Sequence, residues 1–157
     1  GILNGLFIQE LRPHLSERHL QDVQEALMGL SESLCLAKDA WSGDSVDGVV
    51  CLMEALKHNR SLKSLNLMTS GIGAAGAAAL GEALKRNTSL QCLDLESTNI
   101  DCQGASALGK ALERNRTLRT LNLLRNNIGP DGASALGKAL EHNSSLQSLN
   151  LLRNNIG

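Results

Sequence analysis

Residues 121–129 read Leu-Asn-Leu-Leu-Arg-Asn-Asn-Ile-Gly, and residues 149–157 read the same letters again. The offset between them is 28, and it recurs along the chain. Gly104–Glu113 and Gly132–Glu141 are both GASALGKALE, again 28 apart. Sliding the sequence by that step resolves three full units, Ser61–Thr88, Ser89–Arg116 and Thr117–Ser144, and a half unit, Ser145–Gly157. Agreement of this kind is the mark of tandem duplication. An earlier, divergent unit shows its helical half at Gly48–Arg60. Its strand half is expected at Leu34-Cys35-Leu36, followed by an insertion carrying Trp41.

Each unit has two halves with different periods. The first is LxxLxL, as in Leu62, Leu65, Leu67 and again in Leu118, Leu121, Leu123. Its last two leucines are two apart and share one face of a short strand. The second half, as in Gly132, Ala135, Leu136, Ala139 and Leu140, repeats at three and four, the period of a helix. Pro130 and Asp131 suit the first turn of that helix. Asn59, Asn87, Asn115 and Asn143 close the four helices, where a left-handed residue is expected. A strand and a helix in one such unit cannot bury their apolar sides alone, so neighbours must stack. Strands joined by helical crossovers pair in parallel. Helices are about 10 Å wide and strands lie about 4.8 Å apart. The stack must therefore curve, with the sheet on its inner side.

Composition sets further bounds. Fifteen Lys and Arg against sixteen Asp and Glu leave a net charge of -1, which argues against a nucleic-acid or polybasic membrane module. One Trp, one Phe and no Tyr mean that the core is aliphatic. The four cysteines form no CxxC pair and no zinc-ligand spacing, so free thiols in a reducing, cytoplasmic setting are expected. Cys51, within an apolar helix pattern, reads as core filling. No apolar run is long enough to cross a membrane.

The pattern LxxLxLxxNxIGxxGaxaLgxaLxxN, carried most fully by Leu121–Gly129, resembles the leucine-rich repeat of the ribonuclease-inhibitor type. It is most similar to the arrays of NOD-like receptors, ribonuclease inhibitor and Ran GTPase-activating proteins. The resemblance implies an α/β leucine-rich repeat solenoid, a horseshoe with a parallel concave sheet, convex helices and a helical N-terminal cap. It also implies a ladder of turn residues that satisfy backbone groups, falling here on Ser70, Thr98, Asn126 and Asn154. Ser and Thr can fill that role only in part.

The array is expected over 33–157, and 1–32 does not repeat. Leu20, Val23, Leu27 and Leu30 give a helix one apolar face, with Ser16 as its N-cap. Pro13 ends or kinks the segment around Leu6, Phe7 and Leu11. This part reads as a cap over the first repeat, with Trp41 plugging the junction. At the other end Leu149, Leu151 and Ile156 have no following helix. More repeats, a partner or self-association would cover them.

Residues between the strand leucines face the concave side and form columns. The first is Ser64, Cys92, Thr120, Ser148. The second is Asn66, Asp94, Asn122, Asn150, and the third is Met68, Glu96, Leu124, Leu152. Thr69, Ser97, Arg125 and Arg153 flank them. Apolar groups beside arginines suit a protein contact. The candidate partner-binding residues are thus Asn66, Met68, Asp94, Glu96, Asn122, Leu124, Arg125, Asn150, Leu152 and Arg153. His14, His19, His58 and His142 assemble no catalytic triad or metal set. The GxGxxG at Gly71–Gly76 is the repeat's own loop. The four N-x-Ser/Thr sequons at the helix-ending asparagines arise from the repeat itself. The expected function is therefore non-catalytic recognition of a protein partner on the concave face, as part of a larger receptor or scaffold, without cofactor or metal. A GTPase-activating regulator and a filament-capping repeat domain are the alternatives.

Overall fold

The computed structural model describes residues 2–41 and 45–157. The end of the insertion after Trp41, at 42–44, and the start at Gly1 lie outside the described residues. The chain opens with α1 (Ile2–Leu11), a 3-10 turn at Arg12–His14 that contains Pro13, and α2 (Glu17–Leu27). Then come β1 (Ser33–Cys35), a second 3-10 turn (Lys38–Ala40) and α3 (Ser45–His58). From there strand and helix alternate: β2 (Ser64–Asn66), α4 (Gly73–Leu84), β3 (Cys92–Asp94), α5 (Cys102–Leu112), β4 (Thr120–Asn122), α6 (Gly129–Leu140) and β5 (Ser148–Asn150).

The strands form one parallel sheet in the order β1-β2-β3-β4-β5. Register follows the sequence repeat: Leu34 pairs with Leu65, Leu65 with Leu93, Leu93 with Leu121, and Leu121 with Leu149. The central leucine of each strand points to the helices. Leu65, Leu93 and Leu121 are buried, as are Leu67, Leu95 and Leu123 just beyond them. Helices α3 to α6 pack in sequence on that side, and one aliphatic core runs the length of the molecule. Leu80, Leu84, Leu108, Leu112 and Leu136 supply its helical half. At roughly 2 kcal/mol for each fully buried Leu, this core is the main favourable term in folding.

The N-terminal helices continue the same core through Leu11, Leu15, Leu20, Val23, Ala26 and Leu27. Ser16 sits at the N-cap of α2, and its carbonyl accepts from His19 and Leu20. Its hydroxyl, however, bonds the His19 ring at 2.7 Å rather than a backbone N–H. Leu30 departs from the apolar face assigned to it. The helix stops at Leu27, Gly29 turns the chain with φ of 79°, and Leu30 is left 72% exposed. Trp41 is buried at the junction; its indole N–H donates to the Leu36 carbonyl at 3.1 Å, and its backbone bridges to Leu15. Gly48 is required there, since a Cβ would lie 2.6 Å from the Trp41 ring.

The helix-ending asparagines do something other than adopt the left-handed conformation. The helix caps at Lys85, Glu113 and Glu141 keep ordinary helical φ, and none of the four asparagines has positive φ. Instead their side chains join repeats. Asn87 donates to the carbonyls of Leu56 and Asn59 at 2.8 and 3.1 Å and accepts from the N–H groups of Ser89 and Leu90. Asn115 makes the equivalent bonds to Leu84, Asn87, Thr117 and Leu118, and Asn143 to Leu112, Asn115, Ser145 and Leu146. Asn59 reaches back to Ala26 of α2 at 3.0 Å. The end of α2 therefore stands where a preceding repeat's helix would end.

Candidate functional site

The turn after each strand is built by a second set of polar residues. The Asn126 amide donates to the carbonyls of Leu95 and Leu123 at 2.8 and 3.0 Å, and its oxygen accepts from the N–H groups of Thr98 and Ile100. Asn154 spans to Leu123 at 2.7 Å and accepts from Ile128. Thr98 and Ser70 are too short to reach back a repeat by the same path. Their hydroxyls bond the carbonyls of Leu95 and Leu67 within their own turns. All four side chains are buried. They are therefore parts of the frame on which the open face is mounted.

That frame fixes the columns. Ser64, Cys92, Thr120 and Ser148 stand in register, and so do Asn66, Asp94, Asn122 and Asn150. Cys35 joins the second column opposite Asn66. The strand half read at Leu34-Cys35-Leu36 already sets Cys35 between two leucines, as Asn66 is between Leu65 and Leu67. The four Asn and Asp side chains of the second column each turn an oxygen onto the N–H two residues ahead: Asn66 to Met68 at 2.9 Å, Asp94 to Glu96 at 3.0 Å, Asn122 to Leu124 and Asn150 to Leu152 at 3.1 Å. Asn122 also donates to Asp94 at 3.0 Å. The column is thus held in one conformation before any ligand arrives. Between its strands lies a shallow hollow of about 210 Å³, lined by Ser64, Asn66, Cys92, Asp94, Thr120 and Asn122 among others.

The third column is graded. Met68, Glu96 and Leu124 are half-buried, whereas Leu152 is 70% exposed. Leu124 is therefore less open than the sequence reading placed it. Thr69, Ser97, Arg125 and Arg153 all have φ between 55° and 58°, a left-handed conformation that these residue types adopt at a cost. The N–H of Arg125 bonds the carbonyl of Leu152 at 3.0 Å, which stacks one turn on the next. Arg125 reaches Glu96 at 3.4 Å, and both guanidiniums are exposed.

The opposite, helical face carries a wider groove of about 780 Å³ across α4, α5 and α6. Its floor is alanine (Ala78, Ala79, Ala107, Ala135) and its rim includes Glu82, Lys85, Lys110 and Asp131. Lys85, 2.5 Å from Glu82, holds that carboxyl below its ordinary range. His142 is exposed near the end of α6, and His58 stacks on Phe7. Cys35, Cys92 and Cys102 are exposed free thiols. Cys51 is half-buried and packs against the edge of the core, beside Glu10 and the Phe7 carbonyl. Burial first, and then the Glu10 carboxylate, push its pKa from 9.0 to about 12. Among the described residues, no group of three or more His, Cys, Asp or Glu is placed to hold a metal ion, and no helix is long and apolar enough to cross a membrane.

Comparison with known proteins agrees with this geometry. The sequence profile of the family described as "Leucine Rich repeat" matches residues 58–81, 86–109 and 114–137, one match for each full unit. Among curated proteins no sequence match is found. The fold is similar to that of leiomodin-1 actin-binding site 2, with a TM-score of 0.76 and 22% identity over 86% of this chain and 79% of that one. It is also similar to the tropomodulin C-terminal domain of Caenorhabditis elegans, with a TM-score of 0.69 and 18% identity over 94% of this chain and 81% of that one. Repeat length, strand register and profile match together show that this chain has the α/β solenoid fold of leucine-rich repeats.

Proposed function

We propose that the chain is a non-catalytic module that binds a protein partner on its concave face. The observation that carries this reading is the second column. Its four Asn and Asp side chains are held in register on the sheet, each locked onto its own turn, so a ligand meets donors and acceptors whose ordering cost is already met. Asn66, Met68, Asp94, Glu96, Asn122, Leu124, Arg125, Asn150, Leu152 and Arg153 make up the surface, and its polar and apolar mix suits a protein rather than a small molecule. The exposed thiols suit a reducing, cytoplasmic setting. The sequon asparagines do not suit glycosylation, because Asn87 and Asn115 are only 2% exposed and their amides bridge repeats.

The test uses a paired variant, Thr120→Arg with Leu152→Glu. Both positions are exposed, so the fold should persist by circular dichroism. A partner captured by the natural chain should be lost with this variant and kept by Lys138→Glu on the helical face. Loss with Lys138→Glu alone would move the contact to the other side of the molecule.

A second reading is filament binding. It is favoured by the fold shared with the actin-binding site of leiomodin-1. Polymerisation of labelled actin separates the two: a change in filament growth on adding this chain supports the second reading, and unchanged kinetics supports the first.

A further inference from the structure

Charge is unevenly spread over the strand side of the array. Segments 117–125 and 145–153, which hold β4 and β5 with their turns, contain Arg119, Arg125 and Arg153 and no Asp or Glu. The only side-chain carboxylates of residues 117–157 are Asp131 and Glu141, both exposed at α6 or its C-terminal cap. Arg125 shares Glu96 with the preceding repeat at 3.4 Å, and its side chain is still half exposed. Arg153 is exposed and makes no ion pair among the described residues. The two arginines sit on stacked turns, joined by the bond from the Arg125 N–H to the Leu152 carbonyl. Leu124 and Leu152 lie immediately before them, the second 70% exposed.

We infer that this end of the concave face takes an acidic, amphipathic segment of a protein partner, its carboxylates on Arg125 and Arg153 and an apolar side chain on Leu152. The inference rests on the concave-face reading above and names the chemistry of its partner. Guanidinium groups pair with carboxylates through two parallel hydrogen bonds; Arg153 has its whole fork open, and the half-exposed Arg125 engages Glu96 through a single nitrogen at 3.4 Å. A free phosphate would engage the arginines and leave Leu152 idle, so the leucine decides between the two.

The probe is a short fluorescein-labelled peptide of repeated Glu-Glu-Leu units, read by anisotropy against the 157-residue chain. A matched peptide with Gln in place of Glu is the comparison. The Glu peptide should bind about tenfold more tightly than its Gln counterpart and weaken as salt rises. Arg125→Gln with Arg153→Gln should weaken it by about tenfold, and Leu152→Ser by severalfold. Lys138→Gln on the helical face should leave it unchanged, and circular dichroism checks that each variant is folded. Equal binding of both peptides, no binding of the Glu peptide, or indifference to the double arginine variant overturns the inference. So does competition by inorganic phosphate with no effect of Leu152→Ser. A partner lost with Thr120→Arg and Leu152→Glu but indifferent to Arg125→Gln and Arg153→Gln would sink this inference alone and leave the concave-face reading standing.

Discussion

Asn115 carries more of the fold than any exposed charge. It is 2% exposed, and from the end of its own repeat its side chain bonds Leu84 and Asn87 of the repeat before and Thr117 and Leu118 of the repeat after. Asn115→Ala leaves these backbone groups buried without partners, and should cost roughly 2–4 kcal/mol. Urea denaturation measures it, and a loss under about half a kcal/mol would contradict the bridging role. Asn115→Asp should also be costly, since it removes the two donor bonds. Cys51 makes a different prediction. The fold holds its thiol protonated up to about pH 12, while an unfolded chain ionises near 9.0. Its contribution to stability is complete below pH 9 and is lost as pH rises towards 12. At mildly alkaline pH, iodoacetamide should modify Cys35, Cys92 and Cys102 quickly and Cys51 slowly, because the thiolate is the reactive form. Mass spectrometry of the labelled chain checks the order.

Helices α5 and α6 share the sequence GASALGKAL but not their surroundings. A Cβ on Gly109 would stand 3.1 Å from the Ala135 carbonyl of the next helix, whereas a Cβ on Gly137, the matching position, would meet nothing within 4 Å. The same substitution should therefore have opposite signs. Gly137→Ala should stabilise by about 0.5–1 kcal/mol through helix propensity. Gly109→Ala gains that term and loses more by pushing α5 from α6, for a net loss of about 1 kcal/mol. Thermal melts of the two variants give the comparison. These twin helices also show what the sequence could convey. Strand, turn and helix were legible because period two and period 3.6 alternate at a fixed step, and the register of all five strands followed from it. The role of Asn87 and its equivalents was not legible. An Asn at a helix end looks the same whether it adopts a left-handed turn or crosses to a neighbour, and only the stacking distance decides. Leu30 was misplaced because periodicity does not mark where a helix stops, and Gly29 stops it first. For the candidate surface, the columns were readable from the step of 28. Their internal bonds were not: the turn of Asn122 onto Leu124 depends on backbone angles, not on residue type.

Every repeat touches its two neighbours and little else, so stability is close to a sum of units and interfaces. The units are not equal. Leu90, Leu93 and Leu95 are buried with a repeat stacked on either side, but their counterparts Leu146, Leu149 and Leu151 are only partly covered. Hydrogen exchange on this chain should grade along the axis, slowest in β3 and α4 and fastest in β5 and the end of α6. Uniform protection would mean that the array opens as one block. Such grading makes it useful to watch one place at a time, and the molecule carries the means. Trp41 is the only tryptophan and there is no tyrosine. Its emission therefore comes from the seam where the two leading helices meet the first strand, pressed against Gly48. Followed beside circular dichroism, that signal is a built-in optical label: coincident curves would show the leading helices melting with the array, and a separate fluorescence transition would time their detachment from it.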